Sequence, residues 1–179
     1  MFDLFRKKNY LIPPEKSMMD ASYKTEIEKE KALIEIRQHK GILYGAQSLN
    51  RNVSGFIRRP TSDFDIMMPN PRLHARHLER SLDHRFGGDF YKVKPAMHKG
   101  TFKVCTKNGN ERCIADFSSP KDSPDLSTTT RNGMRTTTLK FVEGRRKKIL
   151  RDKLMAFRWQ KAQDDLVMIR YQKKINKYL

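Results

Sequence analysis

Apolar residues recur at helical spacing over residues 20–39. Ile27, Leu33, Ile34 and the aliphatic part of Arg37 share one face, with Glu26, Glu28, Lys29 and Glu30 outside it. This predicts a first helix, capped by Asp20 or Ser22 and stopped by Gly41. Ile42-Leu43-Tyr44 reads as a short buried strand, Gly45 as a turn, and Ala46 to Asn50 as the start of a helix. An Arg-rich loop over 51–61 leads into Ser62 to Met68, where polar and apolar residues alternate. Asp63, Asp65 and Met67 fall on one face of that strand, and Phe64, Ile66 and Met68 on the other.

Asn70-Pro71 opens a helix expected to run to about His84, with Leu73, Leu78 and Leu82 inward and Gly87-Gly88 beyond its end. Strands follow at Phe90 to Lys94, Thr101 to Thr106 and Arg112 to Phe117, with a two-residue turn at Asn108-Gly109 between the last two. Leu126 to Thr137 reads as a further hairpin around Asn132-Gly133, and the pattern from Thr138 onward as two helices meeting near 157–160. Residues 1–19, broken by Pro13-Pro14, read as an extended arm able to pack on the domain or on a protein partner. The order predicts one α+β domain over 20–179: a mixed sheet within 40–137, helices on one face, and C-terminal helices over 138–179.

Charge changes this picture more than composition does. The chain of 179 residues carries 38 Lys+Arg against 20 Asp+Glu, a formal net charge of +18. Such a surface repels itself unless it meets an anion, and nucleic acid is the commonest one. Residues 139–179 alone hold 13 Lys+Arg and 4 Asp+Glu, without acidic partners at helical spacing to balance them. Trp159 and Tyr171 could stack on bases, although Trp159 also suits the core. Nothing in the first ten residues suggests a signal peptide, and no apolar run suggests a membrane span. Cys105 and Cys113 are expected to be two reduced core thiols, which favours a soluble, reducing compartment such as the cytoplasm, with packaging in a virion as a variant.

The candidate chemistry is concentrated in a few carboxylates. The strand period of two puts Asp63 and Asp65 on one face, about 7 Å apart at their Cα atoms. Two like charges that close call for a cation, and oxygen-only ligands suit Mg²⁺ or Mn²⁺. Asp116, within Ile114-Ala115-Asp116-Phe117, completes a triad if its strand neighbours the first. Three carboxylates on one sheet face can hold two ions for an in-line phosphoryl transfer. Gly45, at a strand-to-helix turn, allows backbone N–H groups close to a phosphate. Ser48 fits either a phosphate border or a helix cap, and Arg58 and Arg59 either a triphosphate clamp or a solvated loop. His74 and His77, three apart on a helix, fit a solvated face better than a metal site, and His84 and His98 show no converging spacing.

Gly45 to Ser48, Ser62-Asp63-Phe64-Asp65-Ile66 and Ala115-Asp116-Phe117 together resemble the signature of the DNA polymerase β-type nucleotidyltransferase superfamily. Lys153-Leu154-Met155-Ala156-Phe157-Arg158, then Lys161 and Asp165-Leu166, resemble the C-terminal helix of minimal members related to abortive-infection toxin nucleotidyltransferases. The resemblance spans roughly residues 40–170. It implies that Asp63 and Asp65 bind two Mg²⁺ or Mn²⁺ ions. Asp116 would bind the catalytic one and help deprotonate the acceptor. Gly45, Ala46 and Ser48 would border the triphosphate, and Lys153, Arg158 and Lys161 would add positive charge. Ala46 stands where the family usually has Gly or Ser, and Ala162 where an acidic residue often follows the helix Lys. The expected activity is transfer of a nucleoside monophosphate from an NTP to a hydroxyl, with RNA favoured over DNA as acceptor and a tRNA 3′ end favoured by analogy. The alternatives are a catalytically silent nucleic-acid-binding or structural protein of a viral or mobile-element assembly, and an enzyme that adenylylates a protein or small molecule.

Overall fold

The computed structural model describes residues 21–107, 109 and 111–178, with the backbone alone for 21–23. The expected N-terminal arm, the Asp20 cap and the details of the Asn108-Gly109 turn lie outside the described residues. The chain forms α1 (Ala21–Gln38), β1 (Ile42–Tyr44), α2 (Gly45–Asn52), β2 (Phe64–Met67), α3 (Pro71–Phe86), β3 (Tyr91–Pro95), β4 (Phe102–Thr106), β5 (Cys113–Ser118), β6 (Thr128–Arg131), β7 (Met134–Thr137), α4 (Leu139–Arg151) and α5 (Trp159–Ile175). The seven strands make one sheet in the order β3-β4-β5-β2-β1-β7-β6. Parallel pairing of β2 with β5 and of β1 with β7, among otherwise antiparallel neighbours, makes the sheet mixed.

The register sorts the two faces of the sheet. Phe64, Ile66, Val104, Ala115 and Phe117 point to the side covered by α1 and α3, where they pack with Ala32, Ile36, Ala75, Leu78 and Leu82. The residues between them point to the other side. There Lys103, Asp116, Asp65 and Tyr44 stand opposite one another on β4, β5, β2 and β1, one polar row across four strands. α2 and α4 meet, and Leu49, Val53, Val142 and Ile169 form a second apolar cluster that anchors the C-terminal helices.

Several expectations are corrected. Leu73 is exposed, because the inward face of α3 is set by His74, Ala75, Leu78 and Leu82. Glu28, expected outside α1, is buried: its carboxylate accepts from the Tyr91 hydroxyl at 2.7 Å and pairs with Arg112. A charge can be buried there because both of its oxygens are satisfied. His74, read as a solvated helix residue, is buried against Glu35. Cys105 and Cys113 form a disulfide rather than two free thiols. A register irregularity between Val104 and Cys105 sets the two cysteines directly opposite each other, 3.9 Å apart at Cα. In the C-terminal run α5 begins at Trp159, inside the expected 157–160 junction, but α4 ends earlier, at Arg151, and Lys153–Arg158 forms a 3-10 turn between the two.

Candidate active site

Asp65 lies in the middle of β2 and Asp116 in the middle of β5, paired in register on adjacent parallel strands. Asp63 sits one residue before β2, exposed, with its Oδ1 accepting from Thr61 Oγ1 at 3.0 Å. β1 ends at Tyr44, and Gly45 opens α2 with φ +65°. A Cβ built on Gly45 would stand 1.8 Å from Asp65 Oδ2, so the Asp65 carboxylate rests against the first residue of α2. Only glycine satisfies both the backbone angle and that approach.

The opposite wall comes from the C-terminal helices. A cleft of about 310 Å³ lies over the polar row, lined by Gly45, Asp63, Asp65 and Asp116 on the sheet side. Arg145 and Arg146 of α4, Arg158 of the 3-10 turn and Lys161 of α5 face them. Arg146 is held by a buried carboxylate: Asp165 Oδ2 accepts from Arg146 Nε at 2.7 Å, while Asp165 Oδ1 accepts from Arg59 Nε at 2.8 Å. Asp165 therefore ties the loop before β2 to both C-terminal helices.

Electrostatics in the cleft are strained on the acidic side. Burial pushes the Asp65 carboxyl up to about 6, with Asp63 and Asp116 adding like-charge repulsion and Lys161 and Arg146 opposing it. Asp116 is also raised by burial, against the pull of Lys103, whose Nζ lies 2.9 Å from Asp116 Oδ2. Tyr44 is pushed up to about 12 by burial and by Asp65. Desolvated carboxylates repelling one another across a glycine cradle fit a hard divalent cation, whose charge would relieve both costs. Among the described residues, Asp63, Asp65 and Asp116 do not form a cluster with ligand atoms all within 4.8 Å of one another.

Of the residues singled out in the sequence, the cleft brings together Gly45, Asp63, Asp65, Asp116, Arg158 and Lys161. Ala46 is buried outside it. Ser48 is buried as well, and its hydroxyl is engaged with the Thr137 carbonyl at 3.1 Å and the Thr137 hydroxyl at 2.7 Å. Arg58 and Lys153 are exposed away from the cleft, and Arg59 reaches it only through Asp165. Sequence reasoning did not single out Lys103, Tyr44, Arg145 or Arg146, and it set His98 aside for lack of converging spacing; all five line the cleft. The run Gly144-Arg145-Arg146-Lys147-Lys148 was the available signal for the two arginines.

No protein-family model matches the chain, and no curated protein matches it. Among solved structures, the Megavirus polyadenylate synthase is similar over 88% of this chain, with a TM-score of 0.74 at 20% sequence identity. The chain spans 33% of that protein's length. A putative nucleotidyltransferase from H. pylori matches 68% of this chain and 56% of its own, at 12% identity and a TM-score of 0.42. An antigenic nucleotidyltransferase-like protein from Paracoccidioides brasiliensis matches 82% of this chain and 74% of its own, at 11% identity and a TM-score of 0.45. Among the described residues no helix is long and apolar enough to cross a membrane. This chain shares its fold, over most of its length, with the Megavirus polyadenylate synthase.

Proposed function

We propose that the chain is a metal-dependent nucleotidyltransferase that adds a nucleoside monophosphate from an NTP to the 3′ hydroxyl of RNA. One observation carries this reading: Asp65, which rests against Gly45, stands in register with Asp116, and both face Arg145, Arg146, Arg158 and Lys161 across one cleft. The acceptor oxygen attacks the α-phosphorus, its proton leaves to a base, and the bond to the β-phosphate oxygen breaks to release pyrophosphate. Asp63, Asp65 and Asp116 would hold two Mg²⁺ or Mn²⁺ ions, which neutralise and align the phosphate oxygens when bound. The four cations opposite would balance the triphosphate. Likeness in fold to a polyadenylate synthase supports an RNA 3′ end as acceptor and adenylate as the first nucleotide to test, ahead of a tRNA-specific role. An RNA oligonucleotide incubated with each labelled NTP and Mg²⁺ should lengthen at its 3′ end. Asp65→Asn should remove the extension while the chain stays folded. Extension that persists in that variant would overturn the mechanism.

A second reading, a catalytically silent nucleic-acid binder, draws support from Lys103. Its ammonium bonds Asp116 at 2.9 Å, where a metal ion would otherwise take that oxygen. RNA binding without NTP consumption under any divalent ion would favour this reading.

A further inference from the structure

The α1–α3 junction gathers four side chains that the active cleft does not use. Glu35 and His39 stand four residues apart at the end of α1, and His74 and His77 three apart near the start of α3. Those spacings place each pair on one helix face. Packing of Ala32 and Ile36 with Ala75 and Leu78 then turns the two faces toward each other. One ligand atom from each of the four lies within 4.8 Å of all the others. Glu35 Oε1 is 2.8 Å from His74 Nδ1, 3.6 Å from His39 Nε2 and 3.8 Å from His77 Nδ1. A tetrahedral ion with bonds of about 2.0–2.1 Å holds its ligands about 3.3–3.4 Å apart, inside that spread.

A hydrogen bond from His74 would by itself satisfy a buried Glu35. It gives no reason for two further imidazoles around the same oxygen. The rings of His39 and His77 lie 4.6 and 5.8 Å from that of His74, and 6.0 Å from each other. Glu35 and His74 are the inner members, with side chains 10% and 11% exposed, while His39 and His77 form a rim 39% and 38% exposed. That grading gives an ion both a desolvated seat and an entry path. Three imidazoles and one carboxylate select a borderline metal such as zinc over magnesium or calcium. Four protein ligands leave no open position, which marks a structural site rather than a catalytic one. It also lies on the side of the sheet covered by α1 and α3, away from Asp65 and Asp116.

We propose that Glu35, His39, His74 and His77 form a zinc site that staples α1 to α3. The test uses the full chain, free of any polyhistidine tag and stripped of metal, dialysed against Zn²⁺ in excess Mg²⁺ so that hard oxygen sites are filled. One equivalent of Zn²⁺ should be retained, the thermal midpoint should rise with Zn²⁺, and Co²⁺ in its place should show the visible absorption of a four-coordinate N/O site. The double variant His39→Gln/His77→Gln alters only rim residues, so it should stay folded. It should lose more than about 100-fold in Zn²⁺ affinity, more than the loss of an outer-shell partner causes. Asp63→Asn/Asp116→Asn should bind Zn²⁺ as the unaltered chain does. Three results would overturn the proposal: no Zn²⁺ retained in excess Mg²⁺, equal retention by the histidine double variant, or loss of the equivalent in the aspartate variant.

Discussion

Asp65 sets burial against charge. Its carboxyl is raised from 3.8 to about 6, first by desolvation and then by Asp63 and Asp116. A raised carboxyl costs the folded state nothing below the unfolded value and its full penalty above the folded one. In metal-free protein the penalty therefore appears between about pH 4 and pH 6 and amounts to roughly 3 kcal/mol at neutral pH. Asp65→Asn should make the metal-free chain more stable than the unaltered one at pH 7.5, and no more stable at pH 3.5. Urea unfolding in EDTA at the two pH values checks the sign. The same substitution should abolish nucleotidyl transfer, so stability and activity move in opposite directions. Gly45 is the complementary case. Gly45→Ala adds a methyl 1.8 Å from Asp65 Oδ2 at φ +65°, which costs about 1–2 kcal/mol in backbone strain and also displaces the carboxylate proposed to hold metal. Thermal unfolding should show the strain, and transfer should fall by more than the ~10–100-fold that loss of an outer-shell partner causes.

Among the elements, the C-terminal helices are held to the sheet through one carboxylate. Asp165 is fully buried between Arg59 and Arg146, and removing its charge leaves two guanidinium groups without their anion. Asp165→Asn should cost about 3–5 kcal/mol, read as a lower urea midpoint at unchanged slope. The β4–β5 disulfide makes a second prediction. Closing its short loop constrains the unfolded chain by about 2.5 kcal/mol at most, so reduction with dithiothreitol should lower stability by up to that amount. These two features also mark the limits of what the sequence conveys. Asp65 and Gly45 were legible in place because strand period and a glycine turn are local, and β2 and β5 pair so that Asp65 and Asp116 stand side by side, while Asp63 falls one residue before β2. Lys103 opposite Asp116 depends on the register of β4 with β5, and Cys105 opposite Cys113 on a shift in that register, neither of which a local pattern records. Likewise the Glu35–His39–His74–His77 cluster needs two helices to meet, and the i,i+3 pair in α3 showed only half of it. Glu28 reads as a surface charge because its partners, Tyr91 and Arg112, are distant in sequence, and for the same reason nothing local marks Asp165 as the buried anion of Arg59 and Arg146.

At the scale of the whole molecule, the +18 charge is unevenly committed. Lys147 and Lys173 share Glu143, and Lys148 pairs with Asp125, so part of the C-terminal excess is balanced within the fold. Arg145, Arg158 and Lys161 have no carboxylate partner among the described ion pairs, and they line the cleft together with the Asp165-held Arg146. If the cleft receives a single strand of RNA in the absence of NTP, about three phosphates meet the three cations that have no carboxylate partner. Each neutralised phosphate on a single strand contributes about −0.7 to the slope of log affinity against log salt, so the slope should be near −2. Arg158→Ala and Lys161→Ala should each flatten it by about 0.7 and weaken binding alike for unrelated sequences, since phosphate contacts carry no base information. By contrast, Lys147→Ala should leave the slope unchanged, because that lysine is already paired with Glu143. Titrations of a labelled oligoribonucleotide at several salt concentrations separate the cases. A steep slope that no cleft substitution alters would place the RNA on another basic face of the molecule and detach the charge of the C-terminal helices from the chemistry of Asp65 and Asp116.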